Sequence, residues 1–174
     1  MKSSFSIGVF LVLGALSPNT HAAEENSTTT VSLQVVTSCR ITSTENINFG
    51  NYDPLGVHAT VGGVAQGRIS VVCTSGTNNV SVSLYQGANP QEGSTCQDPK
   101  RAMRSSGGGG LAYAIYQDLA RTRPWGCAMS SSATLPLFDQ SLQPVSLTTY
   151  GFLPPGQDAM LGQYRDTVEV SVTF

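Results

Sequence analysis

The sequence predicts an all-β domain, a sandwich of short strands, and three observations carry that expectation. From Tyr164 to Phe174 the residues alternate, with Val168, Val170, Val172 and Phe174 on one face and Thr167, Glu169, Ser171 and Thr173 on the other. That is the period of a half-buried strand. Shorter runs of the same kind recur, separated by Gly-, Pro- and Asn-containing turn clusters. Charged residues are scarce at 11% while Gly is frequent at 18 residues, and no amphipathic helix longer than a turn or two is visible. Such a balance suits a turn-rich β-protein better than a helical enzyme.

The elements follow in order. Lys2, the apolar run Phe5–Leu16 and the small residues of Thr20-His21-Ala22 make residues 1–22 a secretory leader, too short for a membrane span. Residues 23–30 are polar and expected to be loose. Val31, Leu33 and Val35 alternate with Ser32 and Gln34 as a short strand, and Asn46–Tyr52 reads as a second one, broken by Gly50. Leu55–Gly67 is a Gly-rich connection. Arg68–Thr74 and Val80–Tyr85 are strands on either side of a turn cluster, which suggests a hairpin. Gln86–Arg104 reads as a long surface loop extended by Ser105–Gly110. Leu111–Asp118 alternates again, Pro124-Trp125-Gly126 marks a turn, and Leu135–Phe138 and Val145–Tyr150 are further strands. Pro154-Pro155-Gly156 closes that block. No turn and no partner segment follows Phe174, so the last strand is expected to pair inside the sheet or to have its edge completed by something else.

Export sets the chemistry of the cysteines. Cys39, Cys73, Cys96 and Cys127 are an even set in an oxidising compartment and read as two disulfides, with three connectivities open. Each bridge closing a loop of roughly 30 residues contributes about 3–4 kcal/mol on the chain-entropy model. Zinc is disfavoured because no CxxC spacing occurs and His58 is the one histidine outside the leader. A formal net charge of −2 gives no footprint for nucleic acid. No segment after the leader reaches the roughly 20 apolar residues of a transmembrane helix.

Candidate chemistry is sparse. Ser105–Gly110 lacks the Lys-Ser/Thr of a phosphate loop and leads into no helix, so it reads as a flexible loop. His58 lies in a small-residue loop without the context of a catalytic base. Asp53, Asp118, Asp139, Asp158 and Asp166 could form a carboxylate pair, but their spacing singles out no two. Trp125 is either a sugar-stacking residue or, as we favour, a residue packed at a strand corner. No cofactor and no enzymatic activity are expected.

Several segments carry a resemblance when taken together. FGNYDP at Phe49–Pro54, ISVVC at Ile69–Cys73, LAYAIYQD at Leu111–Asp118 and RPWG at Arg123–Gly126 occur in order. TTYGFLPPGQ at Thr148–Gln157 and GQYRDTVEVSVTF at Gly162–Phe174 follow. The chain thereby resembles the spore coat protein U domain, the subunit family of archaic chaperone–usher pili, over essentially the whole exported sequence. The resemblance implies an incomplete immunoglobulin-like β-sandwich whose last strand is supplied in trans by donor-strand complementation. It implies a donor segment at 23–37 with Val31, Leu33 and Val35 as anchors, and a pilin domain at 38–174. Val168, Val170, Val172 and Phe174 would line the acceptor groove and meet the chaperone. It places the first disulfide on Cys39 and Cys73, leaving Cys96 and Cys127 as the second. The implied partners are a periplasmic chaperone, an outer-membrane usher and other pilin copies. The implied location is the cell surface, with adhesion and biofilm formation as the outcome. Alternatives are a coat or surface protein that completes its own fold and never polymerises, and a secreted carbohydrate-binding module using Trp125. Cys127 directly after Trp-Gly departs from the family pattern, as does the long loop holding Cys96.

Overall fold

The computed structural model describes residues 24–174, and the leader expected at 1–22 lies outside them. The chain divides into two compact units at Gln34/Val35. Residues 24–38 form neither strand nor helix, so the strand expected at Val31–Val35 is not formed. A five-residue segment carries its own alternation but gains ladder bonds only from a partner. No helix among the described residues is long and apolar enough to cross a membrane.

The second unit is an all-β, immunoglobulin-like sandwich. Its larger sheet contains β1 (Cys39–Glu45), β2 (Gly63–Cys73), β4 (Arg101–Ser105), β5 (Gly110–Tyr116), β7 (Val145–Leu153) and β8 (Tyr164–Arg165). Their order is β1-β2-β7-β5-β4-β8. The smaller sheet contains β3 (Ser81–Leu84), β6 (Ala133–Thr134) and β9 (Val170–Thr173), in the order β6-β3-β9. Between them lie Ile69 and Val71 of β2, Val82 and Leu84 of β3, Leu111, Tyr113 and Ile115 of β5, with Trp125 and Phe138. β2 and β3 therefore face each other across the core and do not form the expected hairpin. The turn after Cys73 carries the chain from one sheet to the other, as sandwiches require.

Four further expectations are corrected. β1, CRITSTE, lacks an apolar period and was not expected; six of its seven residues are exposed, and the ladder to β2 holds it. Asn46–Tyr52 is no strand. It crosses the inner side of the sheet, where Ile47 and Phe49 lie so close to Gly151 that a Cβ there would meet Ile47 Cγ2 at 2.6 Å. The supposed surface loop Gln86–Arg104 ends in β4, which forms a hairpin with β5 through the Gly-rich turn. Leu135 and Phe138 are buried, but the strand beside them is Ala133–Thr134.

Two sequence features of the frame have local physical reasons. Ala114 pairs with Phe152, so Ala112 falls opposite Pro154, which has no N–H to give. The Gln157 side chain substitutes for it: Ala112 N–H donates to Gln157 Oε1 at 2.6 Å, and Gln157 Nε2 donates to Ala112 O at 2.9 Å. The disulfides are Cys39–Cys73, joining paired residues of β1 and β2, and Cys96–Cys127, tying the loop before β4 to the Trp125-Gly126 corner.

Candidate functional site

The terminal segment is not one strand. Tyr164 and Arg165 pair with Ser105 and Arg104 in the larger sheet, whereas Val170–Thr173 pair with Leu84–Ser81 in the smaller one. The change of sheet happens at Asp166, and a polar cluster fixes it there. Tyr113 Oη donates to Asp166 Oδ2 at 2.6 Å, while Ala88 N and Asn89 Nδ2 donate to Asp166 Oδ1 at 3.1 and 2.9 Å. Gly87, at φ +86°, presses against that carboxylate so closely that any Cβ would collide with it. Beneath lies Arg101, only 1% exposed. Its guanidinium donates to three main-chain carbonyls: Tyr85 O from Nε at 2.9 Å, and Leu84 O and Trp125 O from Nη2 at 3.0 and 2.8 Å.

The titration of the cluster reflects its burial. Desolvation pulls the Arg101 guanidinium down to about 10, against smaller upward pulls from Tyr113 and Asp166. The Tyr113 phenol is raised well above its ordinary value, first by burial and then by its bond to Asp166. Both groups keep their neutral-pH forms, a cation among carbonyls and a phenol that donates. The cluster acts as a fixed polar pin at the point where the chain enters β9.

Past the pin, β9 has a ladder neighbour on one side only among the described residues. Its ladder runs to β3, with Val172 opposite Val82 and Leu84 opposite Val170, and main-chain bonds from Tyr85 N to Glu169 O and from Ala88 N to Thr167 O extend it backwards. On its other side β9 approaches β1 without sharing a ladder, and β1 is likewise the outer strand of its own sheet. Among the described residues, two outer sheet edges thus lie beside each other. Val168, Val170 and Val172 pack against the core but stay half-buried, and Phe174 is 55% exposed. Ile41 of β1 pairs with the core residue Val71 and is 36% exposed, so it contributes apolar surface from the opposite edge. Sequence reasoning missed Ile41; the signal was its spacing of two from Cys39, obscured by the polar residues around it. An unpaired edge with an alternating apolar face has the geometry of a site that takes up an extended strand.

The structure gathers Val168, Val170, Val172 and Phe174 at this edge. Val31 and Leu33 belong to the first unit and are 91% and 90% exposed; Val35 is also exposed. The remaining candidates have structural roles. Trp125 is buried, with Nε1 donating to Val82 O at 2.9 Å, so its ring offers no face to a sugar. His58 Nδ1 accepts Asp53 N–H at 3.0 Å, and the imidazole stacks on Tyr52. The Asp53 carboxylate caps Leu55 and Gly56, and that of Asp118 caps Thr122 and Arg123. Among the described residues no group of His, Cys, Asp and Glu is placed to hold a metal ion.

Comparison with known proteins agrees with this architecture. Residues 25–171 match the family model of the Spore Coat Protein U domain. A curated relative, "Protein U" of Myxococcus xanthus, is 38% identical over 131 residues, covering 74% of this chain and 71% of its own length. A similar solved structure is the CsuC-CsuE chaperone-tip adhesion subunit pre-assembly complex from the archaic chaperone-usher Csu pili of Acinetobacter baumannii. Its TM-score is 0.52 at 26% identity, over 80% of this chain and 40% of that one, so this chain spans two-fifths of its solved counterpart. A match over nearly all of the described sequence and a relative at this identity agree: the chain belongs to the Spore Coat Protein U domain family.

Proposed function

We propose that this protein is a structural pilin subunit of an archaic chaperone–usher pilus that polymerises by donor-strand exchange. The observation that supports the reading is the pair of neighbouring outer strands β1 and β9, each without a second ladder partner among the described residues, beside half-buried valines. A periplasmic chaperone occupies this edge first. At an outer-membrane usher the N-terminal segment of another copy replaces it, with Val31, Leu33 and Val35 entering beside Val168, Val170, Val172 and Phe174. Residues 23–37 are then the donor segment and 38–174 the pilin domain. The chain crosses the periplasm and ends in a surface fimbrium that supports adhesion and biofilm formation.

The energetics support such a joint. Each buried Val or Leu contributes about 1.5–3 kcal/mol and each main-chain hydrogen bond about 0.5–1.5 kcal/mol net. Three anchors with their ladder bonds sum to the order of 10 kcal/mol before association costs. That suffices for a long-lived non-covalent link.

Leu33→Asp tests the reading, because a carboxylate cannot enter an apolar cleft without a partner. Surface extracts of the wild type should give a ladder on unboiled denaturing gels that collapses on boiling. The variant should give chaperone-bound monomer and no ladder. Fibres of normal length from Leu33→Asp would refute the donor assignment. The family's description as a spore coat favours one rival, a coat protein that completes its own sandwich. A stable monomer on size exclusion, without any chaperone, would decide for it.

A further inference from the structure

The segment leading into β1 is held at the turn that follows β2. Thr74 N–H donates to Ser38 O at 2.9 Å, and Thr74 Oγ1 donates to Val36 O at 3.2 Å. The Cys39–Cys73 disulfide lies immediately behind these bonds. The same turn is tied to a second loop: Ser75 N donates to Ser141 Oγ, Ser75 Oγ to Asp139 O and Gly76 N to Phe138 O, each at 2.7 Å. Three apolar side chains border this knot. Val36 is 67% exposed, and Leu137 and Leu142, which flank the Phe138–Ser141 segment, are 59% and 76% exposed. None of the three side chains belongs to the hydrophobic core of the described residues.

We propose that Val36, Leu137 and Leu142 form a collar that docks against a second copy of the pilin, the one that receives this chain's donor strand. The inference rests on the pilin reading above and adds a surface to it. Val35 is the last donor anchor and Val36 is already bonded to Thr74, so one peptide unit, about 3.8 Å, joins inserted and clamped chain. With no free linker between them, the accepting copy must sit against the surface from which the chain emerges. An exposed apolar collar is costly in a lone domain and is covered in that arrangement. The joint is therefore a strand plus a seated shoulder, and successive copies hold a fixed angle. Thr74 acts as a positioning residue that sets the direction in which the chain leaves.

Thiol accessibility tests the collar. In polymers from surface extract, a Leu142→Cys variant should react with a maleimide about tenfold or more slowly than a Leu119→Cys control, as expected of a side chain at a dry contact. Leu119 is 72% exposed on a turn away from the collar. In a Leu33→Asp background, where no donor strand inserts, the Leu142→Cys variant should react as fast as the control. Equal rates in the polymer would overturn the collar. Leu142→Asp, which adds no thiol, should lower the temperature at which the ladder collapses, and an unchanged temperature would also count against it. Thr74→Val should give fibres that bend more than wild type, with Thr74→Ser restoring stiffness; identical bending would remove Thr74's role. A wild type without any ladder would instead refute the pilin reading itself.

Discussion

β2 and β9 are the same kind of strand placed in different settings. β2 presents Ile69 and Val71 and β9 presents Val170 and Val172 to one core. β2 has ladder partners on each side, β1 and β7, and its Ile69 and Val71 are fully buried. Among the described residues β9 pairs with β3 alone, and Val170 and Val172 remain half-buried although they sit opposite the buried Leu84 and Val82. A side chain in a sheet is covered by the facing layer and by neighbours on the flanking strands, so a strand with one flanking neighbour is covered less than one with two. Burial at β9 is limited by the sheet ending there and not by its own sequence.

The contrast can be broken most severely by removing the open strand. Deleting Val168–Phe174 should abolish co-purification with the periplasmic chaperone and lead to rapid degradation, since the core would lose its wall over Leu84 and Val82. Recovery of the truncated chain in a chaperone complex would show that this edge is not the binding surface. A finer cut compares single valines in the domain just released from its chaperone, which on the pilin reading stays folded only transiently. Val71→Ala should cost about 2–3 kcal/mol in denaturant unfolding, because the cavity cannot collapse between two flanking strands. Val172→Ala should cost about 1 kcal/mol or less while unpartnered. Equal losses would mean that β9 is as enclosed as β2.

The pin at the entrance to β9 responds to alkali. Tyr113 is raised in the folded state, so its contribution is complete below the unfolded phenol value of about 10 and declines as the pH climbs past it. Arg101, lowered to about 10, acts in the opposite sense, because the unfolded chain then holds the extra proton. Tyr113→Phe separates the two. It should cost about 2 kcal/mol at neutral pH, for a lost bond to a charged acceptor. The gap to wild type should narrow above pH 10, and a constant gap would remove Tyr113 from the pin. The smallest effect belongs to Asp118, whose carboxyl is held below its usual value chiefly by Thr122 on an exposed turn. Its contribution is present above the ordinary aspartate range and is lost as the pH falls through its lowered value. Asp118→Asn should leave ladder formation intact and shift only the acid limb of thermal unfolding.

Much of this was legible in the residues. The strands that became β2, β5, β7 and β9 each showed period-2 alternation, and the turn clusters separated them, so the all-β class followed from local pattern. β1 was not legible because both its faces are largely exposed, which leaves no apolar period to detect. β4 was hidden because Arg101 looks like a surface residue until three carbonyls are brought to meet it. Trp125 between Pro and Gly read as core or as a binding face, and only the packing of Val82 against it decided.

By itself the sequence determined that Val-rich alternation runs over Val168–Phe174 and that a matching alternation lies at Val31–Val35, because side-chain period is a local property of the backbone. Tertiary structure decided that Asp166 sends the terminal segment from one sheet into the other, since its partners come from Tyr113, Ala88 and Asn89. It also decided that β9 lies beside β1, each the outer strand of its sheet among the described residues. An open edge is a relation between strands far apart in the chain, and only folding brings them together.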